Sequence, residues 1–161
     1  MAVSKELFRK ALGHFATGVT VVTTRHHTGA PWGFTVNSFT SVSLEPPLIL
    51  VCVGQGSESH QAMDHSNYFA VNFLSSQQQE LSRHFASKSP ERFKAVEHVD
   101  SAHGSPLIAG CLGFLECKKV DAHVYGDHTI IIGEVIAAEV TGGDPLIFYA
   151  SSYARLSSPS K

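Results

Sequence analysis

The sequence predicts a mainly β protein, a closed or nearly closed antiparallel barrel with peripheral helices. Segments rich in β-branched and aromatic residues recur along the chain, as strands do. The two longest, 112–125 and 128–140, flank Gly126 and Asp127, which are typical of a tight hairpin turn. Strand and helix do not alternate often enough for a doubly wound sheet, and there is no internal repeat.

The first element is predicted to be a helix over residues 4–18. Ser4 is a suitable N-cap, and Gly18 follows the last apolar position as a C′ residue would. Apolar residues recur at helical spacing and form one stripe, made of Phe8, Ala11, Leu12 and Phe15. A strand over 19–24 follows, and the turn-forming residues 25–31 predict that it forms a hairpin with the next strand.

That next strand, "GFTVNSFTSVSLEPP" at residues 33–47, changes phase. Its apolar residues fall on alternating parities, first Phe34 and Val36, then Phe39, then Val42 and Leu44. Side chains on a strand have a period of two, so each change of parity requires a break or a bulge. The polar pair Asn37 and Ser38 is the predicted break.

The remaining elements are a strand over 48–53, apolar enough to be buried on both faces, then a glycine turn and a short helix. Ser57 or Ser59 is expected to be its N-cap. Further along the chain we expect a strand at 68–74, a helix at 76–86, an irregular polar loop from 87 that could be a lid, a last strand at 145–150 and a solvated tail at 155–161.

Length and composition limit the function. The chain of 161 residues suggests a single domain spanning 1–161, and 43% apolar against 16% charged residues permits a sizeable core. A net charge of −2 makes nucleic acid a poor partner. Three cysteines without a C-x-x-C favour a reduced, cytoplasmic setting, and we expect neither a signal peptide nor a membrane span.

Two backbone features could bind a ligand. Where the strand breaks at Asn37 and Ser38, its N–H and C=O groups could pair with the edge of a flat heterocycle; an ordinary bulge paired with water is the alternative. In "LILVCVGQGS", Gly54 and Gly56 precede a helix opened by Ser57, a pattern suited to phosphate. A plain strand-to-helix turn would have the same sequence.

Several side chains are weaker candidates. Cations near Phe85 and Phe93 could close over a phosphorylated aromatic ligand, or belong to a solvated helix end: Arg83, Lys88 and Arg92. His128, beside the tight turn, is a candidate ligand contact. The histidines lack zinc-like spacing, so no metal is expected, and no G-x-S-x-G supports serine hydrolysis.

The chain resembles the short-chain flavin reductases that serve two-component flavin-dependent monooxygenases. The resemblance rests on the order and spacing of "FATGVTVVTT", "GFTVNSFTSVSLEPPLILVCV", "FAVNFL" and "GDHTIIIGEV", and it covers nearly the whole chain. It implies a split barrel of Greek-key type, a homodimer, and reduction of FMN or FAD by NADH or NADPH. The lack of an arginine cluster for a 2′-phosphate favours NADH.

The resemblance also implies site residues. Those implied to contact the flavin are Thr35, Val36, Asn37, Ser38, Ser41, Ser43, Cys52, Val53, Gly54, Ser57, Phe85 and Ala86. His128 and Tyr153 are implied to face the nicotinamide nucleotide. No residue is assigned as a catalytic acid or base, because hydride transfer between the two cofactors needs none.

The interpretation is therefore hydride transfer from nicotinamide C4 to flavin N5, after which the reduced flavin diffuses to a separate monooxygenase. Backbone donors near Asn37 would stabilise negative charge at the flavin's pyrimidine edge. Two alternatives stay open: a flavin carrier or sensor without turnover, and a flavin-dependent oxidase on the same barrel.

Overall fold

The computed structural model describes residues 2–89 and 91–156. In this part of the chain the helices are α1 (Lys5–Gly13), α2 (Glu58–His65) and α3 (Gln79–Ala86). The strands are β1 (Thr17–Gly18), β2 (Thr20–Arg25), β3 (Pro31–Val36), β4 (Phe39–Leu44), β5 (Pro47–Gly54), β6 (Tyr68–Phe73), β7 (His98–Asp100), β8 (Pro106–Ile108), β9 (Gly113–Tyr125), β10 (His128–Val140), β11 (Ile147–Tyr149) and β12 (Ser152–Ala154). None of the described helices has the length and apolar character needed to cross a bilayer. Residues 157–161 of the predicted tail lie outside the described residues.

A seven-stranded antiparallel sheet dominates the fold, in the order β3-β2-β6-β9-β10-β5-β4. The mainly antiparallel β architecture is thus confirmed. A fully closed barrel is wrong, because β3 and β4 are the two edges of the sheet and are not paired with each other. These two edges are consecutive in the chain, and only Asn37 and Ser38 join them.

The predicted break in the strand is confirmed. Phe34 and Val36 are buried in β3, and the strand stops before Asn37. Phe39 then packs edge-to-face on Phe73, with ring centroids 5.5 Å apart. The second change of parity coincides with a register shift between Ser41 and Ser43. The apolar side chains within the shift and after it are exposed rather than buried: Val42 and Leu44.

Both predicted hairpins are confirmed. β2 pairs with β3, and β9 pairs with β10 around Gly126, whose φ of 61° suits a tight turn. β5 differs from expectation, since its side chains alternate between buried and half-buried. Within this chain β5 therefore buries one face fully and the other only in part.

Two apolar clusters fill the interior, and α3 covers one of them. Phe85 of α3 is 1% exposed and belongs to the cluster that includes Val21 and Leu74. A Cβ built on Gly33 of β3 would lie 2.8 Å from Cε1 of Phe85, so glycine is needed for α3 to pack this closely. This close approach brings the end of α3 next to β3.

Helix α1 begins as predicted and ends earlier. Ser4 caps it, its Oγ accepting the Leu7 N–H at 3.2 Å. The helix ends at Gly13 with His14 as C-cap, so the prediction for Gly18 is wrong; Gly18 pairs with β11 instead. The predicted apolar stripe is exposed, with relative accessibilities of 57% for Phe8, 56% for Leu12 and 76% for Phe15.

The polar segment after α3 is more regular than expected, because β7 and β8 form a hairpin within it. The turn between them, residues 101–104, sits on the buried carboxylate of Glu116 in β9, whose side chain is 3% exposed. Oε1 of Glu116 accepts bonds from the Ser101 hydroxyl and, at 3.2 Å, from the His103 N–H; Nδ1 of His103 also lies 3.2 Å away. We call these contacts the Glu116 anchor.

Candidate functional site

A polar cleft of about 310 Å³ opens beside the link between β3 and β4. It lies between the ends of β3 and β5, the start of α2 and the start of β10. Its lining residues are Phe34, Thr35, Val36, Asn37, Ser38, Cys52, Val53, Gly54, Ser57, Ser59 and His128. This volume is at the lower end of the range for small-molecule sites.

The junction between β3 and β4 leaves backbone donors without partners. Within residues 2–89 and 91–156, the N–H groups of Asn37 and Ser38 make no hydrogen bond. The Ser38 hydroxyl takes the place of a neighbouring strand: it donates to the Cys52 carbonyl at 3.2 Å and is 3.3 Å from the Cys52 N–H. A ligand with acceptor atoms on one edge could pair with the free N–H groups.

The start of α2 supplies the other end of the cleft. Ser57 is its N-cap, as predicted; the hydroxyl donates to the Gly54 carbonyl at 2.8 Å and accepts the His60 N–H at 3.0 Å. Gly56, with a φ of 72°, makes the turn into the helix. A helix start of this kind is favourable for a phosphate.

His128 lies at the rim of the cleft, in register with Gly54 across the β5–β10 pairing. Its Nδ1 is 2.7 Å from a carboxylate oxygen of Asp127. The hydrogen bond from His128 lowers the pKa of Asp127, and the charge of the imidazolium adds to this effect. This pair leaves the other imidazole nitrogen free to face a ligand.

A second cavity of about 200 Å³ lies beside the cleft, and Thr35 and Asn37 line both spaces. Its other walls are Val19, Ser82, Ala86, Phe148 and Tyr153. The Thr35 hydroxyl donates to the Ser82 carbonyl at 2.6 Å, and the Ser82 and Tyr153 hydroxyls are 2.9 Å apart. These bonds join β3, α3 and β12 around the second cavity.

The three cations near Phe85 do not act together. Arg92 is 8% exposed, donates to the Phe85 carbonyl at 2.8 Å and lies 4.7 Å above the Trp32 ring. Burial lowers the pKa of Arg92, and the nearby charge of Glu58 partly opposes this. Arg92 holds α3 against β3, while Arg83 faces Tyr153 and Lys88 is exposed.

The structure brings most of the sequence-predicted residues together. Nine of them line the cleft: Thr35, Val36, Asn37, Ser38, Cys52, Val53, Gly54, Ser57 and His128. Ala86 and Tyr153 line the second cavity. Phe85 is a core residue, and Ser41 and Ser43 lie along β4 away from the lining of both spaces.

Sequence reasoning missed several lining residues, among them Phe34, Ser59, Ser82 and Phe148. Ser59 receives a hydrogen bond from the Trp32 indole at 3.2 Å. Ser82 is fully buried on α3, where a serine facing the apolar side of a helix is the only sign that could have singled it out.

The fold and the cleft define a mainly antiparallel β protein with a polar binding space at an open sheet seam, suited to a flat, phosphate-bearing heterocycle. Comparison with known proteins identifies its family. The model of the flavin reductase like domain matches residues 12–157, and the chain belongs to that family.

Its relatives are reductases. It is 45% identical over 150 residues to the FMN reductase (NADH) SmoA of Agrobacterium fabrum, covering 93% of this chain and 85% of that protein. It is 40% identical over 157 residues to the reductase subunit HsaB of a Mycobacterium tuberculosis flavin-dependent monooxygenase, covering 96% and 83%. It spans 47% of the length of another relative, from Rhizobium meliloti.

A solved structure shares the fold over the full chain. The NADH:FAD oxidoreductase SgcE6 of Streptomyces globisporus, in complex with NAD and FAD fragments, superposes with a TM-score of 0.92 at 39% identity. The match covers 100% of this chain and 99% of that one.

Proposed function

We propose that this protein is an NAD(P)H:flavin oxidoreductase that supplies reduced FMN or FAD to a separate flavin-dependent monooxygenase. The observation that carries the proposal is the pair of unpartnered N–H groups at Asn37 and Ser38, which line a cleft in a chain of the flavin reductase family. Relatives named as an FMN reductase (NADH) and as a monooxygenase reductase subunit support both halves of it.

The cleft residues fit a flavin. The free N–H groups at the junction match the acceptor atoms on the pyrimidine edge of an isoalloxazine, and the small side chains of Gly54 and Ser57 leave room for a phosphate at the start of α2. We assign the flavin contacts to Thr35, Val36, Asn37, Ser38, Cys52, Val53, Gly54, Ser57 and, from the second cavity, Ala86. Bound there, the flavin supplies a site that accepts hydride from the nicotinamide.

The protein's part in the reaction is binding and orientation. The donors at Asn37 and Ser38 are fixed before the ligand arrives, because Ser38 is bonded to Cys52, and fixed donors stabilise developing negative charge without reorganisation. His128 at the rim and Tyr153 in the second cavity orient the nicotinamide nucleotide. No residue of the cleft acts as an acid or base in this proposal.

The proposal includes the family's Greek-key split barrel as a single domain over residues 1–161, working as a cytoplasmic homodimer. An exposed apolar stripe on α1 and just after it supports a dimer, since stable monomers rarely leave Phe8, Leu12 and Phe15 in water together. Covering this stripe with a second copy would remove the exposure.

The test measures the rate of NADH oxidation without added flavin and then with FMN, with FAD or with riboflavin. The same series is repeated with NADPH. We expect the nucleotide to be consumed only when free flavin is added. We also expect the protein to lose its flavin on dialysis. Failure to oxidise either nucleotide with any flavin would contradict the proposal and favour a carrier. Flavin retained through dialysis, with turnover of another metabolite, would favour an oxidase.

A further inference from the structure

A third cavity, of about 400 Å³, has no ligand in the function proposed above. It is lined by Gln79, Arg83, Phe148, Ser151, Ser152 and Tyr153. Phe148 and Tyr153 also line the second cavity, which in turn shares Thr35 and Asn37 with the cleft. Neighbouring cavities thus share lining residues, in a series from the start of α2 to the end of the β11–β12 hairpin.

Arg83 supplies the positive charge in this third cavity. Its guanidinium carbon lies 5.5 Å from the centroid of the Tyr153 ring. Its other partner is Glu80, one helical turn earlier, at 2.6 Å. The Glu80 side chain is 82% exposed, so this ion pair contributes little and can give way to a phosphate.

Beside the aromatic rings of Phe148 and Tyr153, the rest of the cavity wall is polar, and no carboxylate lines it. Gln79 contributes an amide, and Ser151 and Ser152 contribute hydroxyl groups. Ala150 and Ser151 form the tight turn of the hairpin with φ of 48° and 61°, a left-handed conformation that is uncommon outside glycine. The Ala150 N–H donates to the Gly13 carbonyl at 2.7 Å and fixes this turn at the end of α1. Cation, hydroxyls and amide together match a pyrophosphate.

We propose that Arg83 binds the pyrophosphate of the nicotinamide dinucleotide and thereby determines affinity for NADH, an inference that rests on the proposed function. The flavin phosphate has its own place at Gly54 and Ser57, on the far side of Asn37 from this cavity. The nicotinamide end lies beside Tyr153, and the dinucleotide continues past that ring to Arg83. Arg83 acts by binding substrate and takes no part in the hydride transfer.

The experiment compares Arg83→Met with Lys94→Met. Lys94 is a matched control, because it also forms an exposed ion pair three residues away, with Glu91 at 2.9 Å, and lines none of the cavities described here. With FMN as acceptor, which has no pyrophosphate, Arg83→Met should raise the KM for NADH about tenfold with kcat nearly unchanged. Lys94→Met should leave both constants unchanged, and Arg83→Lys should fall between.

A nicotinamide donor without phosphate, N-benzyl-1,4-dihydronicotinamide, separates binding from a structural role. We expect Arg83→Met to oxidise it at the wild-type rate. If this rate falls together with that of NADH, Arg83 only supports Tyr153 and the inference is overturned. An unchanged KM for NADH overturns it as well.

FAD gives the remaining comparison, since it carries a pyrophosphate of its own. A rise in the KM for FAD with none for NADH would mean that Arg83 binds the flavin dinucleotide, which overturns the assignment to NADH. Wild-type protein that oxidises neither NADH nor NADPH refutes the proposed function itself, and this is seen before any variant is compared.

Discussion

The junction at Asn37 and Ser38 and the turn at residues 101–104 are both polar interruptions of β structure, but they differ in how their polar groups are paired. At the turn, the buried Glu116 accepts bonds from Ser101 and His103. At the junction, the N–H groups of two residues that line a cleft have no partner among the described residues.

The difference separates polar residues that stabilise the fold from polar residues that bind a ligand. Buried polar groups are nearly always hydrogen-bonded, and the polar groups of the Glu116 anchor are hydrogen-bonded to one another. The junction is different, because Asn37 and Ser38 are exposed and their N–H groups can pair with water until a ligand in the cleft takes its place. Substitutions in the two regions should therefore affect different measurements.

The largest effect is expected from Glu116→Ala. It leaves the donors of Ser101 and His103 without their charged acceptor, and loss of such bonds should lower the free energy of unfolding by about 3 kcal/mol. Denaturant unfolding measures this loss. The KM for flavin should stay within about twofold of wild type, because Glu116 lines none of the three cavities.

Glu139→Gln is the matched control for that change, since it removes an exposed carboxylate from the adjacent strand β10. It should alter stability by less than about 0.5 kcal/mol. A Glu116→Ala variant as stable as this control would mean that the anchor does not hold the hairpin to the sheet.

Ser38→Ala should give an intermediate effect, and on both measurements. The hydroxyl that bonds to the backbone of Cys52 is lost, which should reduce stability by about 1 kcal/mol and raise the KM for flavin about fivefold. Ser41→Ala is the control, because Ser41 is exposed on β4 and lines none of the described cavities. Equal effects of the two serines on flavin KM would contradict the role given to the junction.

The smallest effect is expected at the rim of the cleft, where the quantity that changes is the pKa of Asp127. His128→Gln removes the main cause of the low pKa of Asp127, so this pKa should rise towards its usual value. Because the pKa is depressed in the folded protein, the stabilisation is present above the unfolded pKa and is lost as pH falls through the folded one. A carboxyl titration by NMR that is identical in both proteins would exclude the His128 contact as the cause.

Much of the fold follows from local signals in the sequence. Period-two alternation and turn residues predict both hairpins, and the change of parity at Phe39 is sufficient to locate the junction. The end of α1 and the β7–β8 hairpin are not predictable in this way. They depend on pairing with β11 and on contacts such as that of Glu116, which are distant in sequence.

The residues of the candidate site also divide into those predicted from local sequence and those that depend on contacts between distant segments. The cleft residues near the junction and the start of α2 come from short contiguous segments, so motif and resemblance find them. Ser82 and Arg83 meet Tyr153 only because α3 and the β11–β12 hairpin fold against each other, and no spacing rule reveals that contact. Phe85 shows the opposite error: the resemblance implies that it contacts the flavin, but it is buried in the core.

The open seam of the sheet has a mechanical consequence. Its two unpaired edges are joined by a link of two residues, and both of these residues line the cleft. A ligand in the cleft contacts this link between the two edges, and amide exchange in β3 and β4 should slow together when the ligand binds. We therefore expect ligand binding and the loss of motion in the two edge strands to occur together.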